Sequence, residues 1–168
     1  RYKFAYQYRD WLIDAFNQDM AYDDFIKYQI AADTFDPGNA GGNQAAMGML
    51  TLGRRFLNNP HDIADDRIDV VMRGTMGLSV ICARCHDHKY DPIDMGDYYS
   101  LHSAFLNSHE PGTEQAPLAL VDRDQIGPAV IFERGNPRQR GAEVEKRFVK
   151  FVSLSKPYPL QRGSGRAD

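Results

Sequence analysis

The sequence lacks several features that mark common classes of protein. No apolar run approaches the roughly 18 residues that a membrane helix needs, so no membrane span is predicted. No basic stripe stands out, and the 168 residues carry a formal net charge of −3, which argues against nucleic acid as the main partner. The chain also shows no internal repeat.

A signal peptide is missing at residue 1. Arg1 is not a natural start, so the chain is expected to be processed or cut, and a cytosolic origin does not follow. The composition, with 42% hydrophobic and 26% charged residues, is typical of a soluble globular protein. At this length one ordinary domain with a real core is expected.

Cysteine is scarce, and both cysteines lie in one motif. The stretch Cys82-Ala83-Arg84-Cys85-His86 has the C-x-x-C-H spacing of a c-type haem attachment site. Two thiols three residues apart can lie on one side of a single turn and add to the two vinyl groups of one porphyrin. The histidine that follows is then placed as an axial ligand of the iron.

Other uses of the cysteine pair stay open. A thioredoxin-like redox dithiol should follow a strand and open a helix, whereas residues 67–80 have a helical pattern. A structural zinc site wants a second pair of ligands, and His88 with His102 or His109 would make an irregular set. A chance pair is the third alternative. The histidine directly after the second cysteine favours haem.

Apolar periodicity predicts a mainly α-helical fold. Helices are expected at about residues 4–18, 22–32, 44–56, 62–80 and 95–107. The helix at 62–80 is predicted to run into the cysteine motif, with Ile68, Met72 and Met76 sharing a face. Asp94, with Asp97 three residues further on, resembles a cap at the start of the last helix.

The character of the sequence changes towards the C-terminus. Short apolar runs at residues 117–121 and 129–133 are predicted strands or extended arms, and residues 134–142 are rich in turn formers. Such a stretch makes no core alone, so it is expected to wrap the helical part or to link to another domain. The predicted organisation is a helical haem-binding region at 1–110 and an extended, partly β C-terminal arm at 111–168.

Several blocks of the chain together resemble one protein family. The blocks are YRDWLIDAFN (8–17), YDDFI (22–26), LTLGRRFL (50–57), DDRIDVV (65–71), MGLSV (76–80) and, most strongly, CARCHDHKYDPI (82–93) with Asp97-Tyr98-Tyr99. They are similar to the planctomycete cytochrome c-associated family known as PSCyt2 or DUF1549. Residues 133–137 and 141–148 are similar to the start of the PSD1 (DUF1553) region that usually follows.

The resemblance implies an exported protein, periplasmic or extracellular, that carries haem c. Members of the family are much longer and often carry a separate small cytochrome domain, so this chain looks like a piece of a larger polypeptide. A redox partner protein, or other domains of that polypeptide, are the expected partners. The resemblance implies no particular reaction.

The predicted site has Cys82 and Cys85 as thioether anchors and His86 as the proximal iron ligand. Met76 is the first choice for the sixth ligand, because its helix enters the motif, although the chain would have to fold back sharply to bring it there. A methionine ligand suits electron transfer, whereas an open position allows small-ligand chemistry. Alternative sixth ligands are Met72, Met95, His61, His102 and His109.

Three further side chains near the motif are candidates for contacts around the haem, namely Arg84, His88 and Asp91. His88 could bond a propionate, bind a second metal with an aspartate, or act as an acid–base group near an open iron.

We therefore predict a c-type haem protein that transfers electrons within a larger multidomain protein, since one covalent haem suits tunnelling between partners. One alternative is a haem-dependent enzyme, with His88 and Asp91 near an open iron and with carbohydrate-related redox chemistry suggested by the family's setting. The other alternative is a non-haem metal-binding or structural domain. Whether the chain is an enzyme stays open.

Overall fold

The computed structural model describes residues 3–37, 42–53, 58–110, 120–123, 127–147 and 149. Within these ranges the chain is mainly helical, as predicted, with short antiparallel strands towards the C-terminal end. The α-helices are α1 (Ala5–Asn17), α2 (Tyr22–Phe35), α3 (Gly48–Thr51), α4 (Pro60–Met76) and α5 (Met95–Asn107). The strands are β1 (Ser108–His109), β2 (Val121–Asp122), β3 (Ala129–Phe132) and β4 (Arg140–Val144).

The helix predicted at residues 44–56 is wrong in type and length. A 3-10 helix at Asn43–Met47 comes first, and α3 then adds a single turn. The hydrogen-bond pattern changes at Gly48, the first residue of α3, and glycine lowers helix propensity by about 1 kcal/mol relative to alanine. Met47 and Leu50 are buried, and the last part of the predicted helix, at 54–56, lies outside the described residues.

α4 ends before the cysteine motif, so the prediction that it runs into the motif is wrong. The helix begins after Asn59, whose side chain accepts a hydrogen bond from the backbone N–H of His61, an ordinary N-cap. It ends at Gly77, which has a left-handed φ of 69°. The backbone N–H of Leu78 donates to the carbonyl of Met72 at 3.1 Å, which closes the helix end. The chain therefore turns sharply before it reaches the motif.

α5 has the predicted bounds and the predicted cap. The Asp94 carboxylate accepts from the backbone N–H of Asp97 at 2.8 Å, and the Asp97 carboxylate accepts from the backbone N–H of Asp94 at 3.3 Å. Arg147, which follows β4, forms ion pairs with both carboxylates, at 2.6 and 2.7 Å. The chain after β4 is thus bound to the first turn of α5.

β3 and β4 form an antiparallel hairpin that packs on α5, which confirms the strand predicted at residues 129–133. Phe132 pairs with Arg140, and a bulge separates it from the pairing of Val130 with Glu143. One hydrophobic cluster joins the hairpin to α4, α5 and the cysteine motif. Its buried members are Ile68, Met72, Val80, Ala83, Ile93, Tyr98, Tyr99, Leu101, Val130, Phe132 and Val149.

The other predicted strand, at residues 117–121, lies outside the described residues as far as residue 119. Its last residue belongs to β2, which pairs with β1 at the end of α5. Among the described helices, none has the length and apolar character needed to cross a membrane.

Candidate functional site

The cysteine motif lies on a short 3-10 helix, Val80–Arg84, and on the two residues that follow it. A 3-10 helix makes one turn in about three residues, so side chains three positions apart lie in line. Cys82 and Cys85 have this spacing, and both thiols are free and exposed. Cys82 lies on the 3-10 helix and Cys85 is its C-cap residue, so the two exposed cysteines lie about one turn of chain apart.

The opposite side of the motif is buried. Val80 and Ala83 have no exposed surface and belong to the hydrophobic cluster of α4, α5 and the hairpin. The Arg84 side chain is 25% exposed, and its guanidinium lies 3.2 Å from the Asp62 carboxylate and 3.5 Å from the Asp65 carboxylate. Both aspartates belong to the first turns of α4, so an ion-pair group joins the motif to that helix.

Two adjacent tyrosines of α5 lie next to the motif, and Tyr99 bonds it directly. The Tyr99 hydroxyl lies 2.9 Å from the carbonyl oxygen of Arg84 and 3.2 Å from that of Phe132, and its single hydrogen is shared between these two acceptors. The Tyr98 hydroxyl donates to the Asp65 carboxylate at 2.7 Å. Burial raises the pKa of both phenols, so both side chains stay protonated donors.

The turn between β3 and β4 touches the second cysteine. The Cys85 Sγ lies 3.6 Å from the carbonyl oxygen of Arg134. Gly135 follows with a left-handed φ of 73°, and a Cβ at that position would lie 2.9 Å from the Cys85 Sγ and 3.3 Å from the Arg84 Cγ. Both the backbone conformation and the close approach therefore require glycine.

His86, the predicted proximal ligand, is exposed. Its Nδ1 lies 2.7 Å from the carbonyl oxygen of Asp87. This hydrogen bond assigns the proton to Nδ1 and leaves the lone pair of Nε2 for a metal. Histidines that bind metals commonly donate their second ring nitrogen to a carbonyl in this way, which orients the ring.

His88 closes the loop that follows the motif. Its side chain is 7% exposed, and its Nδ1 accepts from the backbone N–H of Asp91 at 2.9 Å and of Tyr90 at 3.3 Å. Its Nε2 lies 3.5 Å from the Ser79 hydroxyl, and its backbone N–H donates to the carbonyl of Ile93 at 2.8 Å. The ring therefore organises the loop, and these bonds occupy the Nδ1 lone pair that a metal would need.

Several of the candidate sixth ligands are buried. Met72 and His102 are 1% and 3% exposed, and Met95 packs partly buried against the same hydrophobic cluster. His61 stacks on His102 beneath the hairpin. A haem on the exposed side of the motif would reach Met72 or His102 only after a rearrangement of the core.

Two candidates have exposed side chains. Met76 is 37% exposed in the last turn of α4, directly before the turn that reverses the chain. His109 is exposed on β1, but it lies beyond Asn107, which is itself about 12 Å along the axis of α5 from Tyr99, the residue that touches the motif. Met76 is therefore the better placed of the two.

A stacked pair of histidines under the hairpin was not predicted from the sequence. The His61 and His102 ring centroids lie 5.3 Å apart with an interplanar angle of 8°, and His61 Nδ1 lies 3.4 Å from His102 Nε2. Phe132 contacts both rings edge-on. The one sequence signal that could have found the pair is the position of His102 on the apolar face of α5.

Burial keeps this histidine pair neutral. It lowers the pKa of His102 to about 3, with smaller contributions from His61 and from Arg84. Burial and the Arg84 charge also lower the pKa of His61, against the opposing effect of Asp62. Protonation of either ring is therefore opposed by burial and by the nearby Arg84 charge, and protonation of His102 is also opposed by His61.

Within the described ranges, no three or more His, Cys, Asp or Glu side chains are grouped so as to hold a metal ion. The irregular zinc set considered from the sequence, in which His88 joins His102 or His109, is therefore not assembled there.

A family model matches residues 1–110 of the chain, and its description is PSCyt2, Protein of unknown function (DUF1549). The comparison with curated proteins and the comparison with solved structures found no match. The matched range contains the cysteine motif and α1 to α5, whereas β3 and β4 lie beyond it. The resemblance of residues 133–148 to the PSD1 region stays a prediction.

Proposed function

The chain belongs to the PSCyt2 (DUF1549) family, and we propose that it is an exported c-type haem protein that transfers electrons within a larger multidomain protein. One observation carries the proposal. Two exposed cysteines lie one turn apart, Cys82 on a 3-10 helix and Cys85 as its C-cap residue, and are followed by an exposed histidine whose Nδ1 is held by a carbonyl. These are the groups that covalent haem attachment requires.

Three side chains would hold the haem. Cys82 and Cys85 would carry the thioethers, and His86 would be the proximal ligand through Nε2. Each thiol would add across one vinyl double bond, with the sulfur bonding one carbon and the thiol hydrogen going to the other, so no oxidant is consumed. Bound haem c supplies a one-electron Fe(III)/Fe(II) couple.

The surroundings of the motif support a rigid attachment turn. The ion pairs of Arg84 with Asp62 and Asp65 and the burial of Val80 and Ala83 hold it on the core. A site works best when its groups are held by packing and by hydrogen bonds from neighbouring residues. His88, by closing the next loop, supports the backbone that carries His86.

Met76 is the sixth ligand in this proposal. It is partly exposed at the end of α4, and the left-handed Gly77 next to it supplies the sharp turn that a ligand so close to Cys82 needs. Methionine ligation raises the potential and suits electron transfer. A redox protein, or another domain of a longer polypeptide, would receive the electron at the exposed motif.

Expression of the chain with a c-type maturation system tests the proposal. We expect a Soret band, and a pyridine haemochrome assay should find about one haem per chain that survives denaturation. The double variant Cys82→Ser with Cys85→Ser serves as the control and should carry no covalent haem. A wild-type chain that folds under these conditions without a Soret band overturns the proposal and leaves the structural alternative.

The second candidate function is that of a haem-dependent enzyme. Its acid–base candidates are His88 and Asp91, which directly follow the motif, but the Nδ1 of His88 accepts hydrogen bonds from the backbone N–H groups of Tyr90 and Asp91. Rapid binding of carbon monoxide or cyanide to the matured protein would indicate an open iron and support this candidate. A methionine–iron charge-transfer band with slow ligand binding would support electron transfer instead.

A further inference from the structure

The turn of the β3–β4 hairpin has an uncommon backbone next to the cysteine motif. Arg134 and Gly135 have φ values of 50° and 73°, and a left-handed conformation is uncommon for a residue with a side chain. The backbone N–H of Glu133 donates to the carbonyl of Gln139 at 2.9 Å, which closes the turn. Arg134 is exposed, but Gly135 is buried, so the turn packs against the rest of the protein at this glycine.

The surface that buries Gly135 is the motif itself. The Cys85 Sγ lies 3.6 Å from the carbonyl of Arg134, within reach of a thiol hydrogen bond. A Cβ on Gly135 would come within 2.9 Å of that sulfur, closer than real Cβ atoms approach a neighbour. The second thiol thus rests against the hairpin turn, while Cys82 is positioned by the 3-10 helix.

The base of the hairpin is also joined to the motif. The Tyr99 hydroxyl bridges the carbonyls of Arg84 and Phe132, one from each element. The Phe132 side chain is 7% exposed and packs edge-on against the Tyr99 ring, with centroids 5.2 Å apart. The base of the hairpin is therefore joined through Tyr99 to Arg84, the residue before Cys85. The turn of the hairpin contacts the Cys85 sulfur.

We propose that the Arg134–Gly135 turn is a positioning element of the haem-attachment site and sets the position of the Cys85 sulfur. The inference rests on the proposed function, and it extends the site beyond the residues matched by the family model. Gly135 and Tyr99 are its positioning residues. The haem would then lie against a site made of two parts, the motif and the hairpin turn.

Thiol reactivity of the haem-free protein tests the positioning directly. Iodoacetamide alkylation is followed in Cys82→Ser, which reports on Cys85, and in Cys85→Ser, which reports on Cys82. Adding Gly135→Ala should speed alkylation of Cys85 by about threefold to tenfold, the range expected when one modest hydrogen bond is lost. Alkylation of Cys82 should stay unchanged.

Gly77→Ala is the matched control. Gly77 has nearly the same left-handed φ, 69°, but nothing lies within 4 Å of a Cβ there. It therefore carries the same backbone strain without the contact, and it should leave Cys85 alkylation unchanged. Tyr99→Phe should loosen the turn and raise Cys85 reactivity, and Tyr98→Phe, whose hydroxyl bonds Asp65, should not.

The matured protein gives the second readout. Wild type should carry two thioethers, and Gly135→Ala should shift the product towards attachment through Cys82 alone, seen by mass spectrometry of the haem peptide. Equal Cys85 alkylation in Cys82→Ser with and without Gly135→Ala overturns the inference, even if the matured wild type binds haem. Altered Cys85 alkylation without any haem in wild type overturns the proposed function and leaves the positioning of the thiol intact.

Discussion

The Tyr99 hydroxyl lies 2.9 Å from the carbonyl oxygen of Arg84 and 3.2 Å from the carbonyl oxygen of Phe132. One phenol thereby joins two segments that are far apart in sequence, the cysteine motif and strand β3. Tyr99 is 1% exposed, so its hydroxyl makes both contacts inside the core. Much of the stability of this region should depend on that single group.

Tyr99→Phe is expected to lower the free energy of unfolding by about 1–3 kcal/mol, because it leaves buried acceptors without their donor. Urea denaturation followed by circular dichroism measures the loss. Tyr90→Phe is the matched control, since Tyr90 is 82% exposed and its hydroxyl is free to bond water. Equal stability of the two variants would contradict the bridging role of Tyr99.

Acid is expected to destabilise the fold through His102. The pKa of His102 is about 3 in the folded state against an ordinary 6.5. Between these two pH values the imidazole therefore binds a proton more readily in the unfolded chain than in the folded protein. The contribution of the neutral ring to stability is complete above about pH 6.5 and is lost as the pH falls towards 3, by up to about 1.4 kcal/mol per pH unit. His61, whose pKa is also lowered, acts in the same direction.

The measurement is the free energy of unfolding by urea between pH 7.5 and pH 4 in wild type and in His102→Gln. The unfolding free energy of His102→Gln should fall less steeply with falling pH than that of wild type. His109→Gln, at an exposed position, should follow the wild-type curve. Parallel curves for wild type and His102→Gln would show that another group is responsible for acid sensitivity.

Arg84→Gln should destabilise the protein by about 1–2 kcal/mol, because Asp62 and Asp65 lose a shared cation in a partly desolvated site. The expected loss is modest because the Arg84 side chain is 25% exposed and is therefore partly solvated. Arg73→Gln is the comparison, since the Arg73–Asp69 pair is largely exposed and should contribute about 0–1 kcal/mol. Denaturant titration in low and high salt measures the loss of unfolding free energy in each variant. A larger loss in Arg73→Gln than in Arg84→Gln would contradict the stabilising role of Arg84.

Met76→Leu should remove methionine ligation in the matured haem protein. We expect loss of the methionine–iron charge-transfer band, faster carbon monoxide binding and a fall in midpoint potential on the order of 0.1 V, within the ~0.8 V that axial ligands span. Met72→Leu is the control, since Met72 is 1% exposed in the core. Retention of the band in Met76→Leu would assign the sixth ligand elsewhere.

Local sequence signals predicted the elements that local interactions stabilise. The bounds of α5 follow from Asp94 and Asp97, whose reciprocal cap involves neighbours three residues apart. The end of α4 was predicted too late, because the apolar pattern continues past Gly77 while the left-handed conformation of that glycine stops the helix. At residues 44–56 the same periodicity overstated the helix, since Gly48 weakens the run.

The sequence by itself determined the spacing of the two thiols and the histidine, since these depend on one turn of chain. Only the tertiary structure decided that Arg84 turns to α4, that Met76 stays exposed and that the hairpin turn rests on Cys85. The contact between Cys85 and Arg134 spans 49 residues, whereas periodicity reports on neighbours within one or two turns. Such contacts are set by the packing of β3 on α5, which is why the second part of the site is visible only in the folded chain.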